Sequence, residues 1–136
     1  MEPEILQFAA SIQATEPDES EQIYGTYRQI FKEQNYFRHA SGLLVIKLSR
    51  SKKPFWGLRK QIIDGLNEHF TYHVILLNSA SRGWVFTKQE VIERTGSRAW
   101  NLESKGEEYK INSPLPDRNG FFGPKGCQNL LTRGEA

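Results

Sequence analysis

Between Lys47 and Lys60 the chain places six basic residues, Lys47, Arg50, Lys52, Lys53, Arg59 and Lys60, in fourteen positions that hold no acid. Phe55 and Trp56 are interleaved with them. Lysine and arginine neutralise phosphates, and a partly exposed tryptophan or guanidinium plane stacks on a base. Arg50, Lys52, Lys53, Arg59 and Lys60 are therefore candidates for binding a nucleic acid or another anion, with Trp56 set to meet a base. The same stretch also reads as a solvated loop whose Phe55 and Trp56 belong to the core.

Other reactive residue types are less well placed. His69 and His73 are four apart, but the predicted helix ends between them, so they share no helical face. Neither a cysteine pair nor a third nearby ligand accompanies them, and no metal site is predicted. Arg38-His39 would set a base beside a cation, yet a lone loop histidine is usually only polar. Cys127 lies among glycines and a proline with no histidine nearby, a poor setting for a nucleophile. Gly123-Pro-Lys-Gly126 lacks the spacing and the preceding strand of a phosphate-binding loop.

The elements that must position the basic cluster follow from periodicity. Residues 4–14 predict a short helix with Ile5, Phe8, Ala9 and Ile12 on one face. Asp18 and Glu21 have the capping-box spacing for a second helix carrying Ile23, Tyr27, Ile30, Phe31 and Gln34. Gly42–Ser49 is an apolar run broken only by Lys47, the pattern of a strand buried on both faces. Pro54 predicts the start of a helix to about Phe70, with Phe55, Leu58, Ile62, Leu66 and Phe70 inward. Tyr72–Leu77 is a second buried strand, so the three pieces form a βαβ unit with a right-handed crossover. The basic cluster then falls after a strand and at a helix N-terminus, where open α/β sheets bind ligands and anions.

After a turn over 78–83, Trp84–Phe86 predicts a short strand, and Thr87 with Glu90 forms a capping box for a helix over 88–95, with Gly96 as its stop. Trp100 and Leu102, then Tyr109 and Ile111, alternate around Ser104-Lys-Gly106, a β-hairpin. Residues 113–136, rich in Pro and Gly, predict an irregular tail, and residues 1–17 an acidic helix and turn. The expected fold is a single α/β domain over 1–136: N-terminal helices, a βαβ unit in a mixed sheet, a short helix and a hairpin.

A lysine inside a buried strand, followed by a crossover helix and a second buried strand, resembles the core of the PD-(D/E)XK restriction-endonuclease-like superfamily over roughly residues 20–86. The resemblance implies that Lys47 is the catalytic lysine that orients an attacking water, the last residue of a Glu-x-Lys triplet. Here the triplet is Val45-Ile46-Lys47, so valine stands at the carboxylate position. Tyr36 to Ser41 holds no acid where the family has a metal-binding aspartate. The departure implies a relative whose metal site is lost or rebuilt, with Glu4 or Glu33 as the acids within reach from the N-terminal helices. Lys47 also reads as a side chain that snorkels off the sheet edge.

Bulk properties set the outer bounds. A chain of 136 residues with 38% hydrophobic residues holds a core without disulfide or metal. One cysteine excludes an internal disulfide and suits a reducing compartment. The acidic start is unlike a signal peptide, and no apolar run is long enough to span a bilayer, which predicts a cytoplasmic protein without membrane attachment. The net charge of +2 hides an asymmetry, because residues 1–21 carry six acids and no Lys or Arg. The remainder therefore holds all 18 basic residues against 10 acids.

The leading expectation is a nucleic-acid-binding domain, for DNA or RNA. No cofactor is predicted, and Mg²⁺ enters only if nuclease activity accompanies binding. A second basic set, Arg82, Lys88, Arg94, Arg98, Lys105 and Lys110, would extend the track or decorate exposed faces. The alternative is an assembly subunit, its basic loop meeting an acidic protein partner while Phe121 and Phe122 in the tail suit a docking peptide, a homo-oligomer contact or an arm folded back over the core. A third reading is a small enzyme acting on an anionic substrate beside Lys47.

Overall fold

The computed structural model describes residues 2–17 and 36–133. The predicted helix from Asp18, and Glu33 with it, lie outside the described residues.

The apolar run and its partner are the centre of the molecule. Strand β2 (Gly42–Leu48) lies parallel to β4 (Tyr72–Leu77), with Leu43 opposite Tyr72 and Leu48 opposite Leu77. Strand β1 (Tyr36–His39) flanks β2, while β5 (Arg82–Thr87) and then β8 (Gly120–Phe122) flank β4, all three antiparallel to their neighbours. The mixed five-stranded order is β1-β2-β4-β5-β8. Alternate side chains enter two cores, as the strand period of two requires. Leu44, Ile46, Ile75 and Leu77 pack against α1 (Pro3–Ser11) and α4 (Gly123–Arg133), through Ile5, Phe8, Cys127 and Leu131. Leu43, Val45, Val74 and Leu76 face the other way, onto α2 (Lys60–His69), α3 (Lys88–Gly96) and a second sheet. Both faces are covered, which is why the run carries so little polarity.

The second sheet corrects the helix expected to start at Pro54. Phe55–Arg59 is strand β3, and α2 begins only at Lys60. Phe55, Gly57 and Arg59 point outward while Trp56 and Leu58 are buried, the alternation of a half-covered strand. The expected hairpin forms, β6 (Asn101–Leu102) with β7 (Glu108–Asn112), and β7 pairs β3 to give the order β3-β7-β6. The helical spacing holds from Ile62 onward: Ile62, Ile63 and Leu66 are buried on α2. Each such aliphatic side chain contributes about 1.5–3 kcal/mol by leaving water.

The tail is not irregular. A 3₁₀ turn (Asp117–Asn119) leads into β8 and the eleven-residue α4. Gly123 takes a left-handed φ of 77°, and Pro124 follows in the first helical turn, where its missing N–H costs nothing. Phe121 is buried and stacks on Phe8 at 5.6 Å between ring centres, whereas Phe122 is 79% exposed. Gln128 on α4 ties three elements together. Its Nε2 donates to the Ile12 carbonyl at 2.7 Å, and its Oε1 accepts from His39 Nε2 at 2.9 Å.

The Thr87–Glu90 capping box on α3 is present with both reciprocal bonds, at 3.1 and 3.0 Å. The predicted stop shifts, however. Gly96 ends the helix, and the left-handed residue after it is Arg98, with φ 70°. Among the described residues no helix is long and apolar enough to cross a membrane.

Candidate functional site

The basic cluster is divided by the fold. Arg50, Lys52 and Lys53 occupy the loop at the carboxyl end of β2. Arg59 ends β3 and Lys60 begins α2, at the far end of five residues of extended chain at roughly 3.3 Å each. Trp56 cannot meet a base from solvent, because it is 3% exposed and its Nε1 donates to the Leu77 carbonyl at 3.1 Å. Lys60 donates to Asp64 at 2.6 Å, a hydrogen bond that raises its pKa above the ordinary value. With Arg59, Glu68, His69 and Glu107 this pair lines a cleft of about 570 Å³ between α2 and the hairpin turn. Acids and bases alternate there, so that end offers no single-sign surface.

Lys47 is half-buried on the face of β2 that points to α2 and the second sheet. Burial pulls its pKa below the ordinary value, offset in part by the carboxylates of Glu108 and Glu2 and reinforced by Arg59. Val45, at the position where the resemblance places a carboxylate, is fully buried among apolar side chains. Glu4 faces Arg50, whose Nε and Nη2 donate to its two oxygens at 2.5 and 2.8 Å. Among the described residues no three His, Cys, Asp or Glu side chains gather into a metal-binding group.

A more coherent surface forms at the carboxyl end of the parallel pair β2 and β4. Ser49 N–H donates to the Leu77 carbonyl at 2.9 Å, and Asn78 Nδ2 donates to the Ser49 carbonyl at 2.9 Å. These bonds hold the 49–54 loop against the 78–81 turn. The turn is closed by Asn78 N–H on the Arg82 carbonyl at 2.8 Å. Gly123 N–H donates to the Ser81 carbonyl at 2.6 Å, which brings the end of β8 and the first turn of α4, with exposed Lys125, to the same place. Phe55 N–H reaches the Ser49 hydroxyl at 3.2 Å, so its 58% exposed ring also belongs to this end. Lys52 and Lys53 are exposed and make no hydrogen bond or ion pair within the described residues.

The rigid part of this surface is a column of planar groups. The Trp56 and Trp84 rings meet edge to face at 5.7 Å between centres. The Arg82 guanidinium lies 4.3 Å from the Trp84 ring centre and 4.2 Å from that of Phe122. It is fixed by donating from Nη1 to the Gly83 and Phe121 carbonyls, both at 3.0 Å. A β-carbon on Gly120 would stand 2.8 Å from that Nη1 and 3.2 Å from Trp84 Nε1, so only glycine leaves room for the arrangement. Arg82 and Phe122 were readable singly, as a turn cation and a tail aromatic. Their union needs the β5–β8 pairing, which nothing in the local sequence signals.

Several of the remaining candidates make contacts within the fold. Lys88 Nζ donates to the Phe70 carbonyl at 2.8 Å, Arg94 lies over Phe86 at 5.0 Å, and Lys110 donates to Glu108 at 2.7 Å. His73 is buried in β4 while His69 ends α2, so the two histidines do not meet on one element. Cys127 is fully buried, and burial pushes its thiol pKa up to about 12. Comparison with known proteins adds no relative: no family model matches the chain, and no curated protein or solved structure matches it either.

Proposed function

We propose that this chain binds nucleic acid through the carboxyl end of its parallel strand pair, with Lys52 and Lys53 on phosphates and Lys125 extending the contact. The observation that carries the reading is the pair of exposed lysines, unengaged among the described residues, on a loop that Ser49 and Asn78 hold in place. A phosphate backbone suits cations presented this way, since each contact releases counterions without needing a shaped pocket. Arg50 contributes less, because Glu4 already holds its guanidinium. Arg59 and Lys60 belong to the cleft at the other end of β3.

The resemblance to the restriction-endonuclease-like core remains part of this proposal. A hairpin strand carrying Lys47 and a crossover into a parallel neighbour support it. Val45 in place of the carboxylate favours binding without the family's usual two-acid cleavage chemistry. The test is fluorescence anisotropy of the Lys52→Ala/Lys53→Ala double variant with labelled DNA and RNA across a salt series. Severalfold weaker binding with a flatter salt dependence supports the reading. Unchanged affinity in the folded variant overturns it.

A further inference from the structure

We infer that the preferred ligand at this end is a single strand, one of whose bases stacks on the outer face of Phe122. The inference rests on the nucleic-acid reading above. An isolated surface phenylalanine is mobile and says little, but this one is backed. Its inner face lies 4.2 Å from the Arg82 guanidinium, which is clamped by two carbonyls and backed in turn by Trp84. The ring is nevertheless 79% exposed, the largest exposure among the large hydrophobic side chains described. A fixed planar platform that leaves one face to solvent fits another flat ring, and every base offers one.

Charge selects among flat partners. The hydrogen bonds through Ser49, Asn78 and Ser81 bring the loop of Lys52 and Lys53 and the helix start with Lys125 to the same end of the sheet as Phe122, where the phosphates of a strand crossing that end would meet them. A peptide carrying an aromatic side chain would not repeat negative charge on both sides of the ring. In a duplex the base faces are covered by their neighbours, so they are not offered to Phe122 unless the stack opens. The platform therefore discriminates strand state, while the lysines bind either form.

Anisotropy with one labelled oligonucleotide, presented single-stranded and as a duplex, separates these contributions. Phe122→Ala is expected to weaken single-strand binding by about tenfold, the scale of one base–aromatic stack, and to leave duplex binding unchanged. Phe122→Trp is expected to preserve or tighten single-strand binding, which shows that a ring and not a particular fold effect is being read. If Phe122→Ala leaves single-strand binding intact, or weakens both forms equally, the stacking inference is wrong. Should Lys52→Ala/Lys53→Ala still weaken binding in that case, the phosphate reading stands without it. If neither variant changes affinity, the nucleic-acid reading fails as well.

Discussion

The Arg82 guanidinium stands 4.2 Å from the centre of the Phe122 ring, held there by carbonyls of its own strand and of the strand beside it. Gly120 makes the approach possible. Gly120→Ala is expected to drive the guanidinium off the column, losing its cation–π contact and the fixed hydrogen bonds, at a cost of about 1 kcal/mol. Gly83→Ala should cost more, about 3 kcal/mol. There the new carbon would sit 2.7 Å from the Leu76 carbonyl oxygen and 2.9 Å from Leu77 Cδ2, neither of which can swing away. Urea denaturation of both variants checks the order, and equal losses would contradict it.

The acidic start of the chain reaches the basic loop through Glu4 and Arg50. Arg50's hydrogen bonds, more than any other cause, hold the Glu4 carboxyl at about 2, against an ordinary 4.5. A depressed folded pKa means that the pair's contribution is complete above the ordinary carboxylate range. It disappears as pH falls toward about 2. In an NMR titration Arg50→Ala is expected to return the Glu4 midpoint most of the way to the ordinary value. A midpoint that stays low would assign the shift to the helix N-terminus instead.

Gln128 connects α4 to both α1 and β1. Gln128→Ala would strand the Ile12 carbonyl and His39 Nε2 in a partly buried site, so a loss of about 1–3 kcal/mol is expected in denaturant unfolding. His39 Nδ1 already accepts from the Ser41 N–H at 3.0 Å, which makes Nε2 the ring's donor and Gln128 Oε1 its acceptor. Gln128→Glu keeps an acceptor for His39 but turns a carboxylate oxygen toward the Ile12 carbonyl, so it is expected to lose stability as well.

Cys127 is expected to resist thiol reagents at mildly alkaline pH. Its thiol is buried and protonated, with a pKa pushed up to about 12, so labelling needs the fold to open. Labelling should accelerate through the same urea range as global unfolding. Fast labelling of the native protein would contradict the packing of α4.

The strands β2 and β4 were legible because both faces are covered, which makes the apolar run itself the signal. So was α3, because Thr87 and Glu90 stand at the spacing of a capping box. The stretch from Phe55 to Arg59 misled, since Phe55, Leu58 and Ile62 fit a helix as well as Trp56 and Leu58 fit a strand. Pairing with β7, far along the chain, decides between them. The tail misled for a different reason: Gly123 and Pro124 read as breakers but are a helix start, and Cys127 and Leu131 at i and i+4 were the overlooked face. Of the site, Lys52 and Lys53 were legible from charge alone. Trp56 reads as an exposed ring in the sequence but is buried in the fold, because exposure on a strand depends on which neighbour covers it.

Fluorescence anisotropy of the wild-type protein with labelled single-stranded nucleic acid over a salt series decides whether this end of the sheet binds phosphates. The logarithm of the binding constant is expected to fall linearly with the logarithm of salt concentration, at about 0.7 per phosphate contacted, so two to three lysine contacts give a slope of about −1.4 to −2.1. Absence of binding at low salt, or affinity indifferent to salt, would contradict it.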